Sequence, residues 1–152
     1  MRFVKAAALL LLVLCAFAAP AHAEVAVVDV VQVIDSSIPG KAGQKYVDNL
    51  KSQLDAEFES YKRSVAKDKD AQAKTAQKQA ELTAQFRAEY ARVTNMVTAE
   101  LRKIVADYIK TNKRSVTVVV PAGGTLGFSA KADVSKEILR KLNAVKLDFA
   151  KK

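Results

Sequence analysis

The sequence predicts an α+β fold in which a long antiparallel helical hairpin, the arm, projects from a small β-body. Three observations predict it. Over residues 24–152 every Gly and Pro lies before residue 44 or after residue 120. β-Branched runs of strand length flank that breaker-free stretch, at 25–30 and 116–120. The stretch itself is rich in Ala, Lys, Gln, Glu and Leu and carries two stripes of large apolar residues at helical spacing.

The N-terminus reads as an export signal. Arg2 and Lys5 give a cationic start, Ala6 to Ala19 are fourteen residues without a polar or charged side chain, and Pro20 breaks the run ahead of Ala21-His22-Ala23. Fourteen apolar residues are too few to anchor in a bilayer, which needs about 20. A lipoprotein signal at Cys15 fits poorly, because the bulky Leu14 precedes it. Cleavage is expected after Ala23, leaving 129 residues (152 minus 23), the size of one domain.

That remainder has 23 basic and 16 acidic residues, a formal charge of +7, and no Cys, His or Trp. Disulfides, Cys–His dyads, Ser-His-Asp triads and His-based metal sites are therefore excluded from residues 24–152. Asp29 and Asp35, acids near the first strand, read as turn or edge residues, so no paired-carboxylate site is indicated. No enzyme, cofactor or metal is expected.

The elements follow in order. Val25 to Val30 is the first strand, and Val31-Gln32-Val33-Ile34 a turn after it. Pro39, Gly40 and Gly43 close this part. One apolar stripe then runs Val47, Leu50, Leu54, Phe58, Tyr61, Val65; a second runs Leu82, Phe86, Tyr90, Val93, Val97, Leu101, Ile104, Tyr108. The step of the second averages about 3.7, that of a straight helix. Folding the chain between Ala73 and Lys74 sets Val65 against Leu82, Tyr61 against Phe86, Leu54 against Val93 and Leu50 against Val97, each pair of numbers summing to 147. Lys67 to Gln79 holds no Gly, Pro or Asn, so one unbroken helix is the competing reading. Val116 to Val120 is the second strand, Pro121-Ala122-Gly123-Gly124 a turn and Thr125 to Phe128 a weaker third strand. A last helix carries Ile138, Leu139, Leu142 and Val145, with Ser135 as N-cap and Glu137 in the first turn. The body thus comprises 24–43 and 114–152, and the arm 44–113.

Three short strands leave open edges and too small a core for one copy, so association of several copies with their strands closing into a barrel is expected. The strand residues assigned to that association are Val25, Val27, Val118, Val119, Val120, Leu126 and Phe128. Phe58, Tyr61, Phe86 and Tyr90 read as hairpin seam, and Phe128 and Phe149 as packing of the body.

The order of export signal, VAVVDV strand, helical hairpin, TVVVPAGGTLGFSA and DVSKEILRKLN resembles the Skp/OmpH family of periplasmic chaperones over all of residues 24–152. The resemblance implies a homotrimer with a central barrel of strands and three arms around a cavity. It implies a periplasmic holdase that keeps unfolded outer-membrane β-barrel proteins from aggregating, without ATP, metal or other cofactor. The PAGG turn stands where that family often has an acidic one.

Between Lys41 and Lys113 the chain has fifteen basic and ten acidic residues. Lys62, Arg63, Lys67, Lys69, Lys74 and Lys78 cluster toward the hairpin end and are the candidate client-binding surface, since a basic arm attracts acidic chains at long range. Three other classes compete. A basic exported chain also suits anionic lipid or lipopolysaccharide. A coiled-coil spacer needs no partner surface. Nucleic acid is disfavoured by the export signal and by the lack of a groove-reading motif.

Overall fold

The computed structural model describes residues 23–151. The predicted signal, apart from Ala23, lies outside the described residues. The chain is mixed helix and strand: four helices, two of them long, with a two-stranded sheet.

Strand β1, Glu24–Val28, pairs in parallel with β2, Val116–Pro121, with Val25 opposite Val118 and Val28 opposite Pro121. A parallel pair needs a long crossover, and here everything between the strands supplies it. On its other edge β1 makes one bridge, in which Val27 N donates to Ala132 O at 2.8 Å and Val134 N to Val27 O at 2.9 Å. The expected third strand at Thr125 to Phe128 does not form. A short 3₁₀ turn at Ala122–Gly124 leads instead into irregular, exposed chain. Within one copy nothing pairs with that segment, and the 132–134 segment bridges β1 instead.

Helix α1, Val30–Ser36, replaces the turn expected at 31–34. Asp29 makes it a helix, its carboxylate accepting from Gln32 N at 2.9 Å as an N-cap. Helix α2 runs from Ile38 to Ser64 and so begins six residues before the Gln44 start that the breaker-free stretch suggested. Pro39 and Gly40 lie in its first turn, where Pro costs nothing because the first N–H groups are unpaired anyway. The buried Ser37 hydroxyl joins the two helices, donating to Ile34 O at 2.8 Å and accepting from Gly40 N at 2.9 Å. Gly40 is required there, because a Cβ would lie 1.9 Å from Ile34 O.

Helix α3, Ala71–Thr111, returns antiparallel to α2. The bend occupies 65–70, not Ala73-Lys74, and the single-helix alternative is excluded. Cross-hairpin pairs are Tyr46 with Glu89 and Glu57 with Lys78, each summing to 135. The mirror point is therefore 67.5, six residues before the expected 73.5. Facing stripes of equal period tolerate a slide of whole turns, which is why spacing alone misplaced it. No Gly or Pro is needed: Asp68 N donates to Val65 O at 2.9 Å, Ala71 N to Asp68 O at 3.2 Å, and buried Val65 anchors the start.

Asn112 fixes the exit from α3. Its side-chain nitrogen donates to Tyr108 O, Ile109 O and Val116 O, and its oxygen accepts from Arg114 N and Val116 N. Ser115, with φ of 57°, completes this corner in the left-handed region. Helix α4, Ser135–Asn143, is not capped by Ser135 as expected. Asp133 accepts from Ser135 N at 2.8 Å, and the buried Ser135 hydroxyl instead accepts from Asp29 N at 2.8 Å, tying α4 to the start of α1. Asn143 then holds the first N–H of α2, Ile38 N, at 2.7 Å.

The main core sits in the body. Ala26 and Val28 of β1, Val33 of α1, Leu101, Ile104 and Tyr108 of α3, Val116 of β2 and Ile138 and Leu142 of α4 are buried together. A second cluster at the base of the arm joins Val47, Val93 and Val97 to Phe149 from the C-terminal tail. Phe149 packs as expected. Phe128 does not; it is exposed.

Candidate functional site

The six basic residues singled out by sequence all lie in the distal part of the hairpin. Lys62 and Arg63 occupy the last turn of α2, Lys67 and Lys69 the bend, and Lys74 and Lys78 the first turns of α3. The structure divides them. Lys62 pairs with Glu59 at 2.9 Å and Arg63 donates to the Glu59 carbonyl at 3.2 Å. Lys74 bridges Asp68 at 2.7 Å and Asp70 at 3.0 Å, and these hydrogen bonds hold its ammonium well above the ordinary lysine range. Lys74 in turn lowers the Asp70 carboxyl. Lys78 lies between Glu57 at 2.8 Å and Glu81 at 3.1 Å, which raise it likewise. Lys67 and Lys69 at the bend are exposed and make no ion pair among the described residues.

The arm's aromatics are only partly seam. Phe58, Tyr61 and Phe86 are half-buried, and Lys62 and Lys78 lie 5.8 and 6.0 Å from the Phe58 and Tyr61 ring centres. Tyr90 is exposed, contrary to its assignment to the seam, with its ring 6.2 Å from Phe86. Leu54, Phe58, Leu82 and Phe86 line a groove of about 240 Å³ between the two helices. The hairpin is thus open along one side, because two helices bury only a narrow stripe of each other.

The body is open as well. Among the strand residues assigned to association, Val27 is interior and Val119 and Val120 are half-buried. Val25, Val118, Leu126 and Phe128 are exposed, Leu126 completely. Beside them Val30, Leu101, Val105, Ile109, Val119 and Pro121 line a groove of about 540 Å³. Each assigned residue of β1 and β2 therefore lies on the sheet, while Leu126 and Phe128 hang free of it.

Sequence reasoning missed a cluster at the base of the arm, formed by Tyr46, Glu89 and Arg92 against Phe149. Two signals were present: a glycine, Gly43, beyond the helix's first turn and one turn before an aromatic residue, and a lone aromatic in the C-terminal tail. Among the described residues no group of acids is placed to hold a metal ion, and no helix is long and apolar enough to cross a membrane. No family model, curated protein or solved structure matches this chain.

Proposed function

We propose that this protein is an ATP-independent holdase of the periplasm, resembling Skp/OmpH chaperones, that associates as a homotrimer through its strands. The arms then enclose a cavity in which unfolded outer-membrane β-barrel proteins are kept from aggregating. The observation that carries the reading is the open body: Val25 and Val118 are left in solvent on a sheet of only two strands, and Leu126 and Phe128 are left in solvent in the chain that follows it. Large apolar side chains at unpaired sheet edges mark association surfaces. Closing such sheets into a barrel removes the edges and covers the apolar residues together. The part of α3 that lies outside the body, residues 71–92, is about 33 Å long at 1.5 Å per residue, long enough to wall a cavity.

The ion pairs of the tip bear on how clients would be drawn in. Lys62, Lys74 and Lys78 already have acidic neighbours, which leaves Lys67, Lys69 and Arg63 as the side chains whose charge is least compensated. The same pairing favours the rival reading of a coiled-coil spacer, whose charges serve only the helix surface.

Size exclusion with light scattering, with and without an unfolded β-barrel client, tests the proposal. A trimer that binds client and suppresses its aggregation without ATP is expected. A monomer that binds nothing refutes the proposal, and a trimer that leaves aggregation unchanged points to the spacer. Reversing Lys67 and Lys69 together with Lys62 and Arg63 is expected to weaken capture of an acidic client while the trimer persists.

A further inference from the structure

Residues 144–151 follow α4 as irregular chain and cross the base of the arm. Val145 packs against the body core, Leu147 and Phe149 against the arm base, and Arg92 binds the tail's main chain. Phe149 is buried against Val47, Val93 and Val97, its ring 6.1 Å from that of Tyr46. It reaches this depth because α2 has no side chain at Gly43: a Cβ there would stand 3.3 Å from Phe149 Cζ and 3.1 Å from Val93 Cγ1. Beside the ring, the Arg92 guanidinium donates to the main-chain carbonyls of Phe149 and, at 3.2 Å, of Lys151.

Arg92 is itself fixed in place. Its Nε lies 3.0 Å from both Glu89 carboxylate oxygens, and Tyr46 Oη donates to the same carboxylate at 2.8 Å. The guanidinium carbon sits 5.9 Å from the Tyr46 ring centre. Glu89 raises both the Tyr46 phenol and the Arg92 guanidinium, so the phenol stays neutral and the guanidinium charged at ordinary pH. The tail's own charges take no part, since Asp148 pairs with Lys151 inside the tail at 3.5 Å.

We infer that the groove at the base of the arm, formed by Gly43, Tyr46, Val47, Arg92 and Val93, is a binding site for a short peptide segment that turns at one large aromatic side chain, as the tail does at Phe149-Ala150, and that the chain's own tail occupies it in cis. The chemistry of recognition is one aromatic seat plus two donors aimed at main-chain carbonyls. Every peptide has those carbonyls, so the groove selects for an aromatic at a turn, with an aliphatic residue two positions before it where Leu147 packs. The tail is then a competitor that a segment of another protein displaces. This site is independent of the trimer and of the holding of β-barrel clients, and a short peptide probes it without either.

A tail tethered by a few residues competes at an effective concentration on the order of millimolar, so the intact chain should bind a free peptide weakly. The test is a fluorescence-anisotropy titration of a labelled peptide reproducing residues 144–151 against the full chain and against Phe149→Ala. The variant is expected to bind roughly tenfold or more tightly than the parent, because its seat is empty. The same peptide with alanine in place of its phenylalanine should not bind, and adding Gly43→Leu to Phe149→Ala, which fills the seat, should abolish binding. Equal binding by parent and Phe149→Ala, binding of the alanine peptide, or binding that survives Gly43→Leu overturns the inference. If Phe149→Ala loses its helical circular dichroism, the titration is repeated on a chain ending at residue 146. Loss of fold in that chain too overturns the inference, since a tail the fold cannot spare cannot be exchanged.

Discussion

The two halves of helix α3 have the same composition style and very different surroundings. From residue 71 to 92 it buries one side chain, Leu82; from 93 to 111 it buries Val93, Val97, Leu101, Ile104 and Tyr108. The first half faces α2, and only its last turns reach the tail, through Phe86 and Arg92. The second is enclosed by α2, the tail, both strands and α4. One continuous helix therefore joins a region whose order comes from helix propensity and surface pairs to one whose order comes from a core. Neither half explains itself by local sequence, because most helical stability in proteins comes from tertiary packing. The arm is the low-stability end of a gradient that begins in the body.

The sharpest way to break that comparison is to make one change in both halves. Leu82 and Leu101 are almost equally buried, at 6% and 4% exposure. Leu101→Ala leaves a cavity walled by strands and helices and is expected to cost about 3–4 kcal/mol of global stability. Both side chains also line grooves, so the difference rests on what encloses them: Leu82 is held between two helices that can close on the site, Leu101 among strands and helices that cannot. Leu82→Ala should cost about 1–2 kcal/mol and appear as faster amide exchange in the distal arm. Denaturant unfolding with hydrogen exchange measures both. Equal global costs would show that the arm and body unfold as one unit.

Asn112 marks the point where α3 leaves the core, and the next largest effect is expected there. Its amide satisfies three carbonyls and two N–H groups at one corner. Asn112→Ala strands several of them and should cost about 2 kcal/mol, with unfolding starting at β2. Ser115→Gly, by contrast, relieves a left-handed non-glycine residue and should stabilise by up to about 1 kcal/mol. A denaturant midpoint that moves the same way for both would be inconsistent with this account of the corner.

The body also differs from the arm in its response to pH. Burial, with a smaller contribution from Glu137, raises the Tyr108 phenol above its usual range. A raised phenol favours the neutral folded state, so that contribution is complete below about pH 10, the unfolded value, and is lost as pH rises beyond it. Asp133 has the opposite sign. Its hydrogen bonds from Ser135 lower its carboxyl, so its contribution is present above about pH 4 and disappears as pH falls. Tyr108→Phe should flatten the alkaline limb of a stability–pH curve and leave the acid limb intact; Asp133→Asn should do the reverse.

The arm was legible in the sequence because periodicity is a local signal. The stripes from Val47 to Val65 and from Leu82 to Tyr108 named two helices, and the β-branched runs named β1 and β2. What was not legible depends on one-to-one pairing across the chain. The mirror point slid by six residues because stripes of equal period fit at several registers. The helix at 30–36 was hidden because Val31, Val33 and Ile34 are β-branched, and only the Asp29 cap turns it. Thr125 to Phe128 has strand composition but finds no partner within one copy, and in the structure Ala132 to Val134 meets β1 instead. The basic cluster was found as a set, yet its ion pairs depend on the true register: Glu57 reaches Lys78 only with the bend at 65–70. The Arg92 cluster was missed for the same reason, since it gathers residues from α2, α3 and a tail more than fifty positions away.

The smallest effect expected lies at the bend, and it bears most directly on how a hairpin turns without glycine or proline. Val65 is buried and the backbone bonds of 65–71 form the turn, while Lys74 reaches back to both Asp68 and Asp70. If the turn is fixed by packing of Val65, replacing Lys74 should leave the bend in place. If the Lys74 clamp fixes it, the helices should join through it. Ion pairs this exposed contribute little to global stability, so Lys74→Gln should not move the denaturant midpoint. It should speed amide exchange at 65–74 and nowhere in the body. Val65→Ala should speed exchange further and extend it into the last turn of α2, because it removes the one apolar anchor where α2 ends. A Lys74→Gln effect larger than that of Val65→Ala would make the turn an electrostatic device, and the arm's tip would then loosen with added salt while its base did not.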